Sequence, residues 1–134
     1  MSRFLLDTSA LLALRDDEPG AERVAGLLEA ATSGTEICYG CFISLMEILY
    51  RVWKDEGEEA GRLAYRRCLE LPIDWIHESS SLLENAARIK ATHSLSLGDS
   101  WIAAAALQAN AILIHKDPEF INLKEVAQEP LPWK

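Results

Sequence analysis

Apolar and polar positions alternate along this chain in two textures. Phe4-Leu5-Leu6, Glu36-Ile37-Cys38-Tyr39, Ile73-Asp74-Trp75-Ile76 and Ala111-Ile112-Leu113-Ile114 are short runs that read as strands. The last is continuously apolar, as in a strand buried on both faces. Helical spacing fills the intervals. Thr8 to Leu14 is helix-compatible, and Ala21 to Ala31 carries Val24, Leu27 and Leu28 on one face. Ser44 to Lys54 places Ile43, Met46, Leu49, Tyr50 and Trp53 at core-like spacing, while Glu58 to Leu71 turns Arg62, Arg66 and Arg67 outward. Ser79 to Thr92 points Leu82, Leu83, Ala86 and Ile89 inward, and an Ala-rich helix opens at Ser96. Pro19-Gly20, Ser33-Gly34, Gly57 and Pro72 punctuate the pattern. Phe120 to Leu123 is expected to add an edge strand, and Glu129-Pro130-Leu131-Pro132 to form an irregular tail.

Strands separated by one or two helices predict an α/β fold with a mainly parallel sheet and right-handed crossovers. With no repeat or linker, residues 1–134 read as one domain. Ligands of such sheets bind at the carboxyl ends of the strands. Asp7 and Asp117 each follow a strand at that edge, and Glu47 is expected in the first turn of the helix after the second strand. Asp99 opens the Ala-rich helix, and it joins the same edge if the helix pair from Ser79 to Asn110 bends back near Leu97. Each acid also has a structural reading. Asp7 can cap a helix, Ser44 with Glu47 and Ser96 with Asp99 fit capping boxes, and Asp117 before Pro118 suits a turn. Convergence changes the balance, because like charges gathered at one place call for a cation between them. Oxygen ligands suit Mg²⁺ or Mn²⁺, which can activate water for phosphodiester cleavage.

Charge and cysteine content narrow the classes. Thirteen Lys and Arg against 21 Asp and Glu give a net charge of −8, so any nucleic acid must be met through metal or local basic patches. No apolar run approaches the roughly 18 residues of a membrane span, and no secretory signal pattern opens the chain, so a cytoplasmic location is expected. Three cysteines do not make a disulfide framework. Cys38-Tyr39-Gly40-Cys41 is nevertheless a CxxC between a strand and a helix, as a thiol–disulfide oxidoreductase requires. Against that reading, two helices precede the motif and Pro72 is the only nearby proline to set against its thiols.

Four segments in order carry a resemblance across nearly the whole chain: Phe4-Leu5-Leu6-Asp7-Thr8-Ser9-Ala10, Leu45-Met46-Glu47-Ile48, Gly98-Asp99-Ser100-Trp101-Ile102-Ala103-Ala104, and Ile114-His115-Lys116-Asp117-Pro118-Glu119-Phe120. The chain resembles PIN-domain ribonucleases, and in its size the VapC-type toxins of toxin–antitoxin pairs. The resemblance implies a PIN-like three-layer α/β/α sandwich with strand order 3-2-1-4-5, and Mg²⁺- or Mn²⁺-dependent endonucleolytic cleavage of RNA. It assigns Asp7, Glu47, Asp99 and Asp117 as catalytic metal-binding acids, with Thr8 beside them and Glu119 as a reserve ligand. His115 departs from the family pattern, which often has a small hydroxyl residue there.

Further residues are candidates for support. His93 ends a helix near Asp99, where it can meet a phosphate or simply the helix dipole. Arg51 and Lys54 are candidate substrate contacts, although interleaved acids also suit a solvated face. The apolar surface near Trp53 and Tyr65 can be core, or the surface that meets a small antitoxin or a second copy of the chain. A PIN-like module without catalysis is the remaining alternative.

Overall fold

The computed structural model describes residues 1–133. In chain order the elements are β1 (Ser2–Leu6), α1 (Thr8–Arg15), α2 (Ala21–Thr32), β2 (Glu36–Cys41), α3 (Phe42–Glu56), α4 (Glu58–Glu70), β3 (Asp74–Ile76), α5 (Ser80–Thr92), α6 (Leu97–Ala109), β4 (Ile112–His115), a 3₁₀ turn (Pro118–Asn122) and β5 (Gln128–Pro130). The strands form one sheet in the order β3-β2-β1-β4-β5, parallel at every pairing.

The alternation of side chains along the central strands divides the core in two. Leu5 and Leu113 face Leu82, Ile89, Ile102 and the alanines of α6. Phe4, Leu6 and Ile114 face the opposite side, against Leu11, Val24, Leu27, Ile48 and Val52. Helices thus cover both faces, α5 and α6 on one and α1 to α4 on the other. Ala103 to Ala106 are all buried, and their small side chains let α6 lie close to the sheet.

The termini of the elements follow local chemistry. Ser79 caps α5 by accepting from the Leu82 amide at 3.1 Å, and Ser96 caps α6 by accepting from the Asp99 amide at 3.1 Å. Asn110 ends α6 in the left-handed conformation at φ 52°. The break between Thr92 and Leu97 reverses the chain, so α6 begins at the carboxyl edge of the sheet. Gly57, at φ 104°, makes the single-residue turn between α3 and α4.

Four expectations are corrected. The segment at Phe120 is a 3₁₀ turn, not a strand, because Pro118 favours a helical start and the Asp117 carboxylate accepts from the Glu119 amide at 2.9 Å. The edge strand is instead Gln128–Pro130, within the supposed tail, where Leu113 N–H to Ala127 O at 2.8 Å and Leu131 N–H to His115 O at 2.7 Å anchor it to β4. In α3 the buried face is Ser44, Leu45, Ile48 and Val52, whereas Met46, Tyr50 and Trp53 are exposed. That helix has apolar residues on most sides, so packing against α1, α4 and the sheet chose the face. Leu83 of α5 likewise faces outward.

The α3–α4 hairpin is packed backbone to backbone at Gly61, where a Cβ atom would lie 2.8 Å from the Leu49 carbonyl oxygen and 2.9 Å from the Trp53 nitrogen. Gly61→Ala gains helix propensity of about 1 kcal/mol. Neither backbone atom can yield cheaply, however, and overpacking of this kind costs roughly 1–3 kcal/mol. The expected net result is a melting temperature lower by a few degrees in thermal unfolding. An alanine variant as stable as the wild type would mean that the hairpin can splay.

Candidate active site

Asp7 is the first residue past β1, and its amide still pairs with the Ile114 carbonyl at 3.0 Å, which ties the carboxyl ends of β1 and β4 together. Its side chain caps α1, accepting from the Ser9 amide at 3.1 Å and from the Ser9 hydroxyl. Both interactions use Oδ2. The other oxygen, Oδ1, is buried with no hydrogen-bond partner. Ser9 also accepts from the Lys116 amide at 2.9 Å, so one hydroxyl links the loops after both central strands.

Asp99, at the third position of α6, is buried at 8% exposure. Its amide completes the Ser96 cap, while its carboxyl group faces Asp117 and Glu119. Asp99, Asp117 and Glu119 offer oxygen atoms that all lie within 4.8 Å of one another. Burial, then hydrogen bonding to Asp117 and Glu119, then the charges of Asp7 and Asp117 push the Asp99 carboxyl up to about 9. Asp7 is raised in the same direction, chiefly by burial and further by the charges of Glu47 and Asp117.

Glu47 reaches this edge from the second turn of α3, not the first, because α3 starts at Phe42 directly after β2. Ser44 and Glu47 therefore form no capping box. Ser44 is buried and hydrogen-bonded to the Thr8 hydroxyl at 2.8 Å, and Thr8 donates to Glu47 Oε1 at 2.6 Å. Thr8 thus orients Glu47. Arg51, one turn along α3, lies 3.5 Å from Glu47 Oε2. Gly98 leaves the space that Glu47 uses, since a Cβ there would sit 3.1 Å from Oε2.

His115 fills the position where the sequence departs from the family pattern, and the structure shows what it does. Its Nδ1 accepts from the Asp117 amide at 3.1 Å, which leaves the proton on Nε2 to bond Gln128 Oε1 at 2.9 Å. The Gln128 amide nitrogen in turn donates to the carbonyls of Phe120 and Leu123 at 2.7 and 2.9 Å. This half-buried relay holds both ends of the loop that carries Asp117 and Glu119. Sequence reasoning missed Gln128, Ser9 and Ser44 in these supporting roles, because their partners lie on other elements. His93 sits at the end of α5, bonded to Thr92 and near the Ile89 carbonyl, with Glu125 at 3.9 Å. Lys54 lines a shallow surface cavity beside Tyr50 and Arg51.

The CxxC lies on one strand, and residues three apart on a strand point to opposite faces. Cys38 is packed with Phe4 and Leu6, Cys41 with Leu5 and Leu113. Both thiols are free, and burial pushes Cys38 up to about 11 and Cys41 up to about 12. A dithiol pair cannot form from this arrangement.

The donors at the sheet edge are all carboxylate oxygens. An orphaned Asp7 oxygen beside three mutually close acids fits a hard divalent cation.

The family model of the PIN domain matches residues 4–126, and the chain belongs to that family. Its fold is similar to that of VapBC2 from Rickettsia felis bound to a DNA fragment from their promoter, with a TM-score of 0.77, 17% identity, and coverage of 97% of this chain and 99% of that one. It is also similar to VapBC-1 from nontypeable Haemophilus influenzae (TM-score 0.73, 22% identity, 96% and 97% covered). A third similar structure is Mycobacterium tuberculosis VapC20, a Sarcin-Ricin loop cleaving toxin (TM-score 0.72, 17% identity, 96% and 99% covered). No curated protein matches the chain. Among the described residues no helix is long and apolar enough to cross a membrane.

The raised Asp99 carboxyl makes metal-free stability depend on pH. The unfolded chain ionises Asp99 near 3.8, whereas the folded chain keeps the proton up to about 9. The folded state therefore binds the extra proton across that window, and stability falls as pH rises through it. In EDTA, Asp99→Asn is expected to melt higher than the wild type at pH 8 and to show a flatter dependence on pH. It should also respond less to Mn²⁺. A variant that melts lower in EDTA and gains as much from Mn²⁺ as the wild type would leave Asp99 as a helix-start residue alone.

Proposed function

We propose that this protein is an endoribonuclease that cleaves RNA phosphodiester bonds with Mg²⁺ or Mn²⁺, and that it acts in the cytoplasm as the toxin of a toxin–antitoxin pair. The observation that carries the reading is the buried, unpartnered Asp7 oxygen beside the carboxylates of Asp99, Asp117 and Glu119. Asp7, Asp99 and Asp117 would hold the ion with Glu119, and Glu47, fixed by Thr8, would complete the acidic wall. The cation supplies Lewis-acid stabilisation of the phosphoryl group and an activated water for in-line attack. Asp99 would hold such an ion as its carboxylate, and the His115–Gln128 relay keeps Asp117 and Glu119 in place. Arg51, beside Glu47, can meet a substrate phosphate. The complete acid set argues against a PIN-like module without catalysis.

Cleavage of a single-stranded RNA pool should require added Mn²⁺ or Mg²⁺. Asp7→Asn should abolish it while the circular dichroism spectrum is unchanged, and Cys38→Ser combined with Cys41→Ser should retain it. A folded double-serine variant without activity, or an active Asp7→Asn, would overturn the assignment.

The partner reading rests on a separate surface. A groove of about 430 Å³ runs between α1 and the α3–α4 hairpin, lined by Leu11, Leu12, Leu14, Leu63 and Leu71, with Arg15, Glu56 and Arg67 also in its walls. Such a surface fits the apolar face of an antitoxin helix. It is on the same hairpin as Trp53 and Tyr65, but on the side that faces α1. Trp53 itself lies beneath the Arg62 guanidinium, 5.4 Å from the ring centroid. Leu63 is 41% exposed, so Leu63→Glu should spare the fold and abolish co-purification with the small protein encoded beside this one. Unchanged co-purification would place the antitoxin elsewhere.

A further inference from the structure

Two cavities of about 410 and 440 Å³ adjoin, sharing Leu12, Asp16 and Arg51 as lining residues. Together they form a trough with an exposed aromatic ring in the wall of each cavity, Tyr50 at 43% and Trp133 at 65% exposure. Its floor touches the acids at two points. Ser9 bonds Asp7, and Arg51 reaches Glu47. Lys116 lines the Trp133 end with its ammonium held by the Pro19 carbonyl at 3.0 Å and by Glu18 at 3.6 Å, and its side chain is only 9% exposed. In a chain of net charge −8, Arg15, Arg51, Lys54 and Lys116 line this trough against Asp16, Glu18, Asp55 and Glu56, so its charge is balanced where the chain as a whole is acidic.

We infer that this trough is the track for a single-stranded stretch of RNA, with Trp133 as the platform on which a base next to the cleaved linkage stacks. The inference rests on the ribonuclease reading and specifies how substrate is held. Aromatic faces combined with cations are the chemistry that binds unpaired nucleotides, because every base offers a π-face and every linkage a negative charge. A duplex cannot use the site, since its bases are stacked on each other. At the Trp133 end, the carboxylates of Asp16 and Glu18 offer acceptors to the amino groups of a base seated there. Arg51, which lines both cavities, serves the phosphate between successive bases.

The test uses the full chain and a fluorescein-labelled single-stranded RNA ten nucleotides long. Binding is followed by anisotropy and tryptophan quenching in EDTA, and cleavage of the same RNA is followed in Mn²⁺. Trp133→Ala should weaken binding about tenfold, in keeping with loss of one base–aromatic stack, and Trp133→Phe should restore most of it. In cleavage, Trp133→Ala should raise KM about tenfold with kcat within about twofold, because the ring stacks on a base and makes no contact with the reacting phosphate. The alanine variant should also lose most of the RNA-induced quenching, while Trp53→Phe should keep it. Trp133-dependent binding without metal-dependent cleavage would uphold the track and overturn the nuclease. Cleavage with an unchanged KM in Trp133→Ala would uphold the nuclease and overturn the track. Binding of duplex as tight as of single strand, or a Trp133 signal that answers only to the protein partner, would likewise overturn it.

Discussion

Repulsion among carboxylates is the constraint on which this architecture turns. Asp7, Glu47, Asp99, Asp117 and Glu119 come from separate parts of the chain, and two of them are driven toward their neutral forms by where they sit. A fold gains nothing in stability from such a gathering. The apolar layers on both faces of the sheet hold it together, with Leu5, Leu6, Leu113 and Ile114 fully buried in the two central strands. The Asp7 amide, paired to the Ile114 carbonyl, transmits that rigidity to the first acid.

Each acid is then positioned by a neutral neighbour. Ser9 holds Asp7, Thr8 holds Glu47 with Ser44 behind it, Ser96 fixes the helix start that carries Asp99, and His115 with Gln128 fixes the loop of Asp117. None of these supports brings a positive charge to bury among the acids. Arg51 is the exception, and it stands at the rim, half exposed, where it can turn between Glu47 and a phosphate. This division leaves the centre short of positive charge, which is the condition a divalent cation satisfies.

The surface shows a similar economy. An overall acidic chain resists indiscriminate nucleic-acid binding, so attraction has to be local and close to the chemistry. The partner groove and the trough lie on either side of Leu12 and Arg15, both of which line both features. A helix seated in the groove would therefore lie beside the trough.

Much of the fold was legible in the residues themselves. Local signals report on local structure, so the strands of β1, β2, β3 and β4, the caps at Asp7 and Ser96, and the Gly57 turn could be read directly. The strand order came only through the likeness of four short segments to the PIN family, and the observed order agrees. Tertiary packing decided the rest. The face of α3 that is buried was set by α1, α4 and the sheet, since apolar residues surround most of that helix. The strand Gln128–Pro130 has neither length nor apolar character, and it exists because β4 offers it an edge. The relay from His115 to Gln128 spans 13 residues and forms only because the loop between them brings Gln128 back beside β4. The sequence by itself determined that Asp7 and Asp117 stand at strand ends and Asp99 at a helix start; only the folded chain decided that Glu47 reaches them from a second helical turn, how near the acids come and which neutral groups hold them, because those distances depend on contacts between residues far separated along the chain.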